Sequence, residues 1–131
     1  MMFSKKIKAV QIDTLIGSTS KVVGDLYYGG GLQIEGTVEG NLMARCEDGC
    51  VLVISESGTV EGEIRGPYVV INGTVHGDVH VSSSIELKKG AKVTGDIYYH
   101  SLEMEAGAEI NGKLVHRQSP GIEDAHNRDI D

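Results

Sequence analysis

The chain has no tryptophan, a single phenylalanine and two prolines in 131 residues. A compact enzyme core of this length leans on aromatic rings for buried area, so this interior has to be filled by Val, Ile and Leu, which suits thin layers and a narrow core. Cysteine is nearly absent too. Cys46 and Cys50 are the only two, too few for the disulfide framework of a small secreted scaffold, which uses about four or more. No apolar run approaches the roughly 18 to 20 residues of a membrane-spanning helix, and no apolar stretch of signal-peptide type follows the opening lysines, so the expectation is a cytoplasmic protein. Positive charge is scarce, with 12 Lys and Arg against 19 Asp and Glu and a formal net charge of −7. Phosphate neutralisation needs clustered cations, so nucleic acid is not expected as a partner. The exception is residues 1 to 8, which carry three lysines and no acid.

What the chain has in quantity is glycine, 18 residues of it, arranged in a recurring pattern. A β-branched residue, one residue, Gly, one residue and an aliphatic return six times, around Gly24, Gly40, Gly62, Gly77, Gly95 and Gly112, with gaps of 16, 22, 15, 18 and 17 residues. A period of that length marks a solenoid. Alternation places Val22, Gly24 and Leu26 on one face, and likewise each later triplet down to Ile110, Gly112 and Leu114. The inward Gly is expected to make room where opposing walls converge. A second alternating pair precedes each triplet: Leu32 and Ile34, Leu52 and Ile54, Val69 and Ile71, Ile85 and Leu87, Leu102 and Met104, with Thr14 and Ile16 as a weaker first copy.

These units predict an all-β fold: a single-stranded parallel β-helix of about six three-sided coils over residues 12–116, with flexible tails at 1–11 and 117–131. At about 4.8 Å per coil the core would be roughly 29 Å long. Periodicity alone does not distinguish a left-handed from a right-handed coil. The one long unit contains an insertion, ARCEDGC at 44–50, read as a corner loop leaving the helix.

Candidate chemistry is weak throughout, and no catalytic, cofactor or metal residue is singled out. Cys46 and Cys50 lack the second pair that a tetrahedral zinc site needs, so a packed or exposed corner is the default. His76 and His80 flank Asp78 on an outward strand face and could offer metal ligands, but outward residues of a strand are usually just solvated. Asp25, Glu39, Glu61, Glu63, Asp78 and Asp96 form an outward acidic ladder that reads as a solubility device rather than the paired carboxylates of a glycosidase or lyase. Tyr28-Gly29-Gly30-Gly31 lacks the Gly-Lys-Ser/Thr ending of a phosphate loop.

The ends are more informative. A monomeric solenoid protects its terminal coils with caps, and none is evident here. Ile16, Val22 and Leu26 at one end, and Leu102, Met104, Ile110 and Leu114 at the other, are expected to present open aliphatic layers beside unpaired strand edges, and such edges pair with other edges. At the N-terminus, Met1, Met2, Phe3, Lys5, Lys6 and Lys8 combine apolar groups with cations suited to an anionic lipid surface, each Lys giving about 1 kcal/mol near it, with avidity if a filament carries many copies.

The repeated V-x-G-x-[LIV] coils, the stretch IGSTSKVVGDLYYGGGLQIEGTVEGNL at 16–42, the MFSKK-like start and the short polar tail resemble the bactofilins, bacterial polymer-forming cytoskeletal proteins. That resemblance implies a right-handed β-helix assembling end to end, without nucleotide, into non-polar filaments on the inner face of the cytoplasmic membrane. It also implies a scaffold for cell shape, polar structures or cell-wall enzymes, with further copies of the chain, anionic inner-membrane lipids and cell-wall or polarity proteins as partners. The membrane role would fall on Met2, Phe3, Lys5 and Lys6, and assembly on the terminal coils. The rival class is a hexapeptide-repeat acyltransferase with a trimeric left-handed β-helix, but gaps of 15 to 22 residues break its register. An ice-binding β-helix would want a flat Thr ladder where this chain has acids.

Overall fold

A computed structural model describes residues 11–46 and 49–118. Among these residues there are sixteen strands and no helix. All the pairings are parallel, each strand lying on its counterpart one coil away, as a solenoid requires. The first face stacks Thr14–Ile16, Gly31–Ile34, Val51–Ile54, the later halves of Ile64–Ile71 and Val79–Leu87, and Ser101–Met104. The second face stacks Lys21–Val23, Thr37–Glu39, Thr59–Glu61, Thr74–His76, Lys92–Thr94 and Glu109–Asn111. The third begins with Leu26–Tyr28 and Leu42–Ala44, continues through the starts of Ile64–Ile71 and Val79–Leu87, and ends with Ile97–Tyr99 and Leu114–His116. Six coils, each with three sides, follow directly.

Register turns the repeat into continuous apolar columns. Ile16, Ile34, Ile54, Ile71, Leu87 and Met104 align coil by coil. So do Val22, Val38, Val60, Val75, Val93 and Ile110, and Leu26, Leu42, Ile64, Val79, Ile97 and Leu114. From the second coil to the fifth, every member of these columns, and of the one running from Leu32 to Ile85, is at most 1% exposed. Each such side chain contributes about 1.5 to 3 kcal/mol by leaving water. A single coil could not supply that burial, so the core exists only as a stack.

The glycines occupy a different place from the one expected. The V-x-G-x-[LIV] unit is two strands meeting at a corner: Thr74–His76 ends, Gly77 and Asp78 turn the chain, and Val79 starts the next face. Gly77 has φ 152° and Gly95 φ 145°, a conformation that a side chain resists. A Cβ at Gly77 would run into the carbonyl oxygen of Gly62 in the coil before, and one at Gly95 into that of Gly77. Glycine is therefore required by backbone-on-backbone stacking at a bend, not by crowding of side chains inside the core. The flanking aliphatics still point inward, because a bend of this size preserves the parity of a strand.

One aromatic ring does enter the interior. Tyr28, 6% exposed, sits at the end of a third-face strand in register with Ala44. Its hydroxyl reaches the backbone of Gly66, where a Cβ would stand only 2.5 Å away. The small residues Ala44 and Gly66 thus leave the space the ring fills. The hydroxyl has no hydrogen-bond partner, and burial raises its pKa well above that of an ordinary phenol.

Candidate functional site

Each end of the rod presents three strand edges at once. Thr14–Ile16, Lys21–Val23 and Leu26–Tyr28 pair only with the second coil, and Ser101–Met104, Glu109–Asn111 and Leu114–His116 only with the fifth, among the described residues. Their other edges leave backbone N–H and C=O groups pointing along the axis, the arrangement that templates a further strand. The residues predicted for assembly lie on these layers. Leu102 and Ile110 are half-buried, while Met104 is 47% and Leu114 42% exposed. At the other end Val22 and Leu26 are half-buried and Ile16 is nearly covered. Two of the predicted residues, Met104 and Leu114, are thus exposed members of columns that are otherwise buried.

The first coil has a second peculiarity that periodicity did not reveal. Each of its three faces carries one exposed apolar residue pointing outward: Leu15 (55%), Val23 (74%) and Tyr27 (61%). In the second coil the equivalent positions are Gln33, Glu39 and Met43. Apolar surface at the N-terminal end therefore wraps from the open layer onto the sides. The lipid-facing residues expected from sequence, Met1, Met2, Phe3, Lys5, Lys6 and Lys8, lie outside the described residues, as does most of the expected C-terminal tail.

The outward acids divide into two kinds. Glu39 and Glu61 stay on the second face, Glu39 within 2.9 Å of Lys21. Asp25, Asp78 and Asp96, however, follow the corner glycines and hold the backbone of the next coil. Asp25 Oδ1 accepts the Asn41 N–H at 2.9 Å, Asn41 Oδ1 that of Glu63 at 2.8 Å, Asp78 Oδ1 that of Asp96 at 2.9 Å, and Asp96 Oδ1 that of Lys113 at 3.0 Å. A short side chain with an acceptor oxygen at this position satisfies a corner N–H that the strand ladder cannot reach. The solubility reading is corrected to a structural one for these three acids. The signal was present in the sequence as the residue after each repeated Gly: Asp, Asn, Glu, Asp, Asp, Lys.

Glu63 departs from that role. One methylene longer, it reaches sideways, so that Glu63 Oε2 lies 3.1 Å from His80 Nε2 and 3.6 Å from the Arg65 guanidinium. The His80 ring stacks on Tyr98 with centroids 4.6 Å apart and planes 4° from parallel. Its pKa is lowered, first by burial and then by the positive charge of Arg65. The structure gathers Asp78 and His80 with Glu63, and not with His76 as sequence adjacency suggested.

The cysteines form the packed corner that was one of the two expectations, with a bond that was not expected. Cys46 and Cys50 are joined as a disulfide that closes the inserted corner, with Cys50 fully buried and Cys46 packed against the core. The two Cα atoms are 6.0 Å apart across a sequence separation of 4, so a single staple suffices without any wider framework. Tyr28-Gly29-Gly30-Gly31 is a corner as well. The Gly31 N–H donates to Asp13 Oδ2 at 3.0 Å, which fixes the entry into the first coil.

Comparison with known proteins gives a consistent result. The family described as "Bactofilin: Polymer-forming cytoskeletal" matches residues 14–115. The chain is 32% identical over 102 residues to Bactofilin BacO of Myxococcus xanthus (strain DK1622), an alignment covering 78% of both proteins. It is 26% identical over 103 residues to Bactofilin BacP of the same organism, covering 78% of this chain and 41% of that protein. No solved structure matches significantly.

Proposed function

This chain belongs to the bactofilin family of polymer-forming cytoskeletal proteins, and we propose that it polymerises end to end into filaments that act as a scaffold on the inner face of the cytoplasmic membrane. The observation that carries the axial mode is the coincidence, at both ends, of open strand edges with column aliphatics less covered than their counterparts in the interior coils, Met104 and Leu114 most of all. A second copy docked there continues the hydrogen-bond ladder and covers the exposed layer in one step. Edge pairing of this kind uses surfaces already present in the folded monomer, so growth needs no bound nucleotide. The acidic side walls repel one another and favour axial over lateral contact. The acyltransferase alternative is set aside, because the family match is to a structural family and the coils keep no hexapeptide register.

Electron microscopy of the purified protein without nucleotide tests the reading. Filaments are expected, and Leu114→Arg, which puts a charge on the open layer of the last coil, should abolish them with little change in thermal midpoint. A wild type that stays monomeric at high concentration would overturn it. Membrane attachment is proposed from Met1, Met2, Phe3, Lys5, Lys6 and Lys8 in the sequence. Sedimentation with anionic vesicles should lose most of the bound protein on deletion of residues 1 to 8, and equal binding by the deletion would end that part of the proposal.

A further inference from the structure

We propose that Glu63, Asp78 and His80 form a site for one divalent transition-metal ion of the zinc class, clamping the third coil to the fourth. One ligand atom from each of the three lies within 4.8 Å of the others, and the closest pair, Glu63 Oε2 and His80 Nε2, is 3.1 Å apart. Ligands of a tetrahedral zinc stand about 3.3 Å from one another when the bonds are about 2.0 Å, so modest rotations of the two carboxylates close the triangle. The imidazole needs no rearrangement, because stacking on Tyr98 holds its plane. Asp78 is likewise oriented by the Asp96 N–H on its Oδ1, which is how an outer hydrogen bond prepares a ligating carboxylate. Coil-to-coil register places these side chains together: Ile64 is level with Val79 and Arg65 with His80.

The donor set selects the ion. One imidazole nitrogen with two carboxylates suits Zn²⁺, Ni²⁺ or Cu²⁺, whereas Mg²⁺ and Ca²⁺ prefer all-oxygen shells. Two carboxylates balance the charge of the ion. Arg65 is the competitor for Glu63, but its side chain is 54% exposed and sits at the longer distance of 3.6 Å, so it can swing into water as the ion enters. Arg117, stacked over Tyr98 at 4.9 Å, is the other nearby cation. All three ligands are partly exposed, which leaves a path for the ion and a position for water. Glu63 stands where every other corner from Asp25 to Asp96 carries Asp or Asn, and it bridges sideways instead of holding the next coil.

The test uses the full chain, stripped of metal with a chelator and with the Cys46–Cys50 disulfide left oxidised so that thiols do not compete. Zn²⁺ binding is measured by competition with a chromophoric chelator on the wild type and on His80→Gln, Glu63→Gln and Asp78→Asn. The Asn variant keeps an oxygen for the Asp96 N–H, as Asn41 does for Glu63, so it separates loss of the ion from loss of the corner. One ion per chain is expected, at least tenfold weaker in each variant. Stoichiometric binding unchanged in His80→Gln would place the ion elsewhere, His100 and His116 with ring centroids 6.0 Å apart being the obvious site, and would overturn the proposal. So would the absence of saturable binding in the wild type. Should the variants fail to fold, the electron paramagnetic resonance of Cu²⁺ on the wild type decides: coupling to a single imidazole nitrogen supports the site, and its absence refutes it.

Discussion

The fourth coil and the sixth carry the same pattern in different surroundings. In the fourth, Val69, Ile71, Val75 and Val79 are wholly buried. In the sixth their counterparts Leu102 and Ile110 are half-buried and Met104 and Leu114 exposed. Nothing in the local sequence separates the two sets. The difference is one neighbouring coil, so the pattern determines where a side chain points within its own turn, while the stack determines whether that direction leads into core or onto an open layer.

The sharpest way to break this comparison is at the corner shared by all coils. Gly77→Val should cost on the order of 3 to 5 kcal/mol, combining an unfavourable backbone conformation with a collision against the Gly62 carbonyl. Its urea midpoint is the readout, and an unshifted midpoint would mean that the corner can rebuild. Next in size is the pair Ile71→Ala and Met104→Ala, which occupy the same column. The interior change should cost about 2 to 5 kcal/mol, whereas the terminal one in the unassembled protein should cost less than about 1 kcal/mol. Under assembling conditions the gap should narrow as Met104 becomes covered, and equal costs in the monomer would contradict the exposure difference.

The smallest effect concerns the ring threaded through the first coils. Tyr28→Phe removes a hydroxyl that has no partner, so stability should be unchanged or higher by about 1 kcal/mol. Because burial raises the folded-state pKa, the phenol ionises in the unfolded chain near pH 10 while it is still neutral in the fold. The wild type should therefore lose stability as pH rises above about 10, and the Phe variant should lose less. Parallel alkaline curves for the two proteins would mean that the phenol ionises as readily in the fold as in the unfolded chain, and so is not shielded from water.

Most of the fold was legible because spacing by two survives a corner. Val22 and Leu26 point inward whether the chain between them is one strand or two strands and a bend, so the columns could be read while the role of Gly24 was mistaken. The Asp and Asn after the repeated glycines were visible as a column only once the coils had been aligned, since successive positions of that column are 15 to 22 residues apart. His80 and Glu63 meet across coils, 17 residues apart, so adjacency to Asp78 pointed to His76 instead. The disulfide joins Cys46 to Cys50 within the one insertion, which lies outside the periodicity. The end layers needed only the observation that the pattern stops.

The bonds that join successive coils run along the axis of the rod. Pulling on the ends therefore loads all three ladders of a junction at once, in parallel, and no single bond can fail ahead of its neighbours as it does when a hairpin is unzipped. The corner side chains of Asp25, Asn41, Asp78 and Asp96 add further struts in the same direction. A strand-to-strand joint between two copies would have the same mechanics, so tension in such a cable would be shared by joints and interior alike, and its extensibility would be that of the coil stack itself.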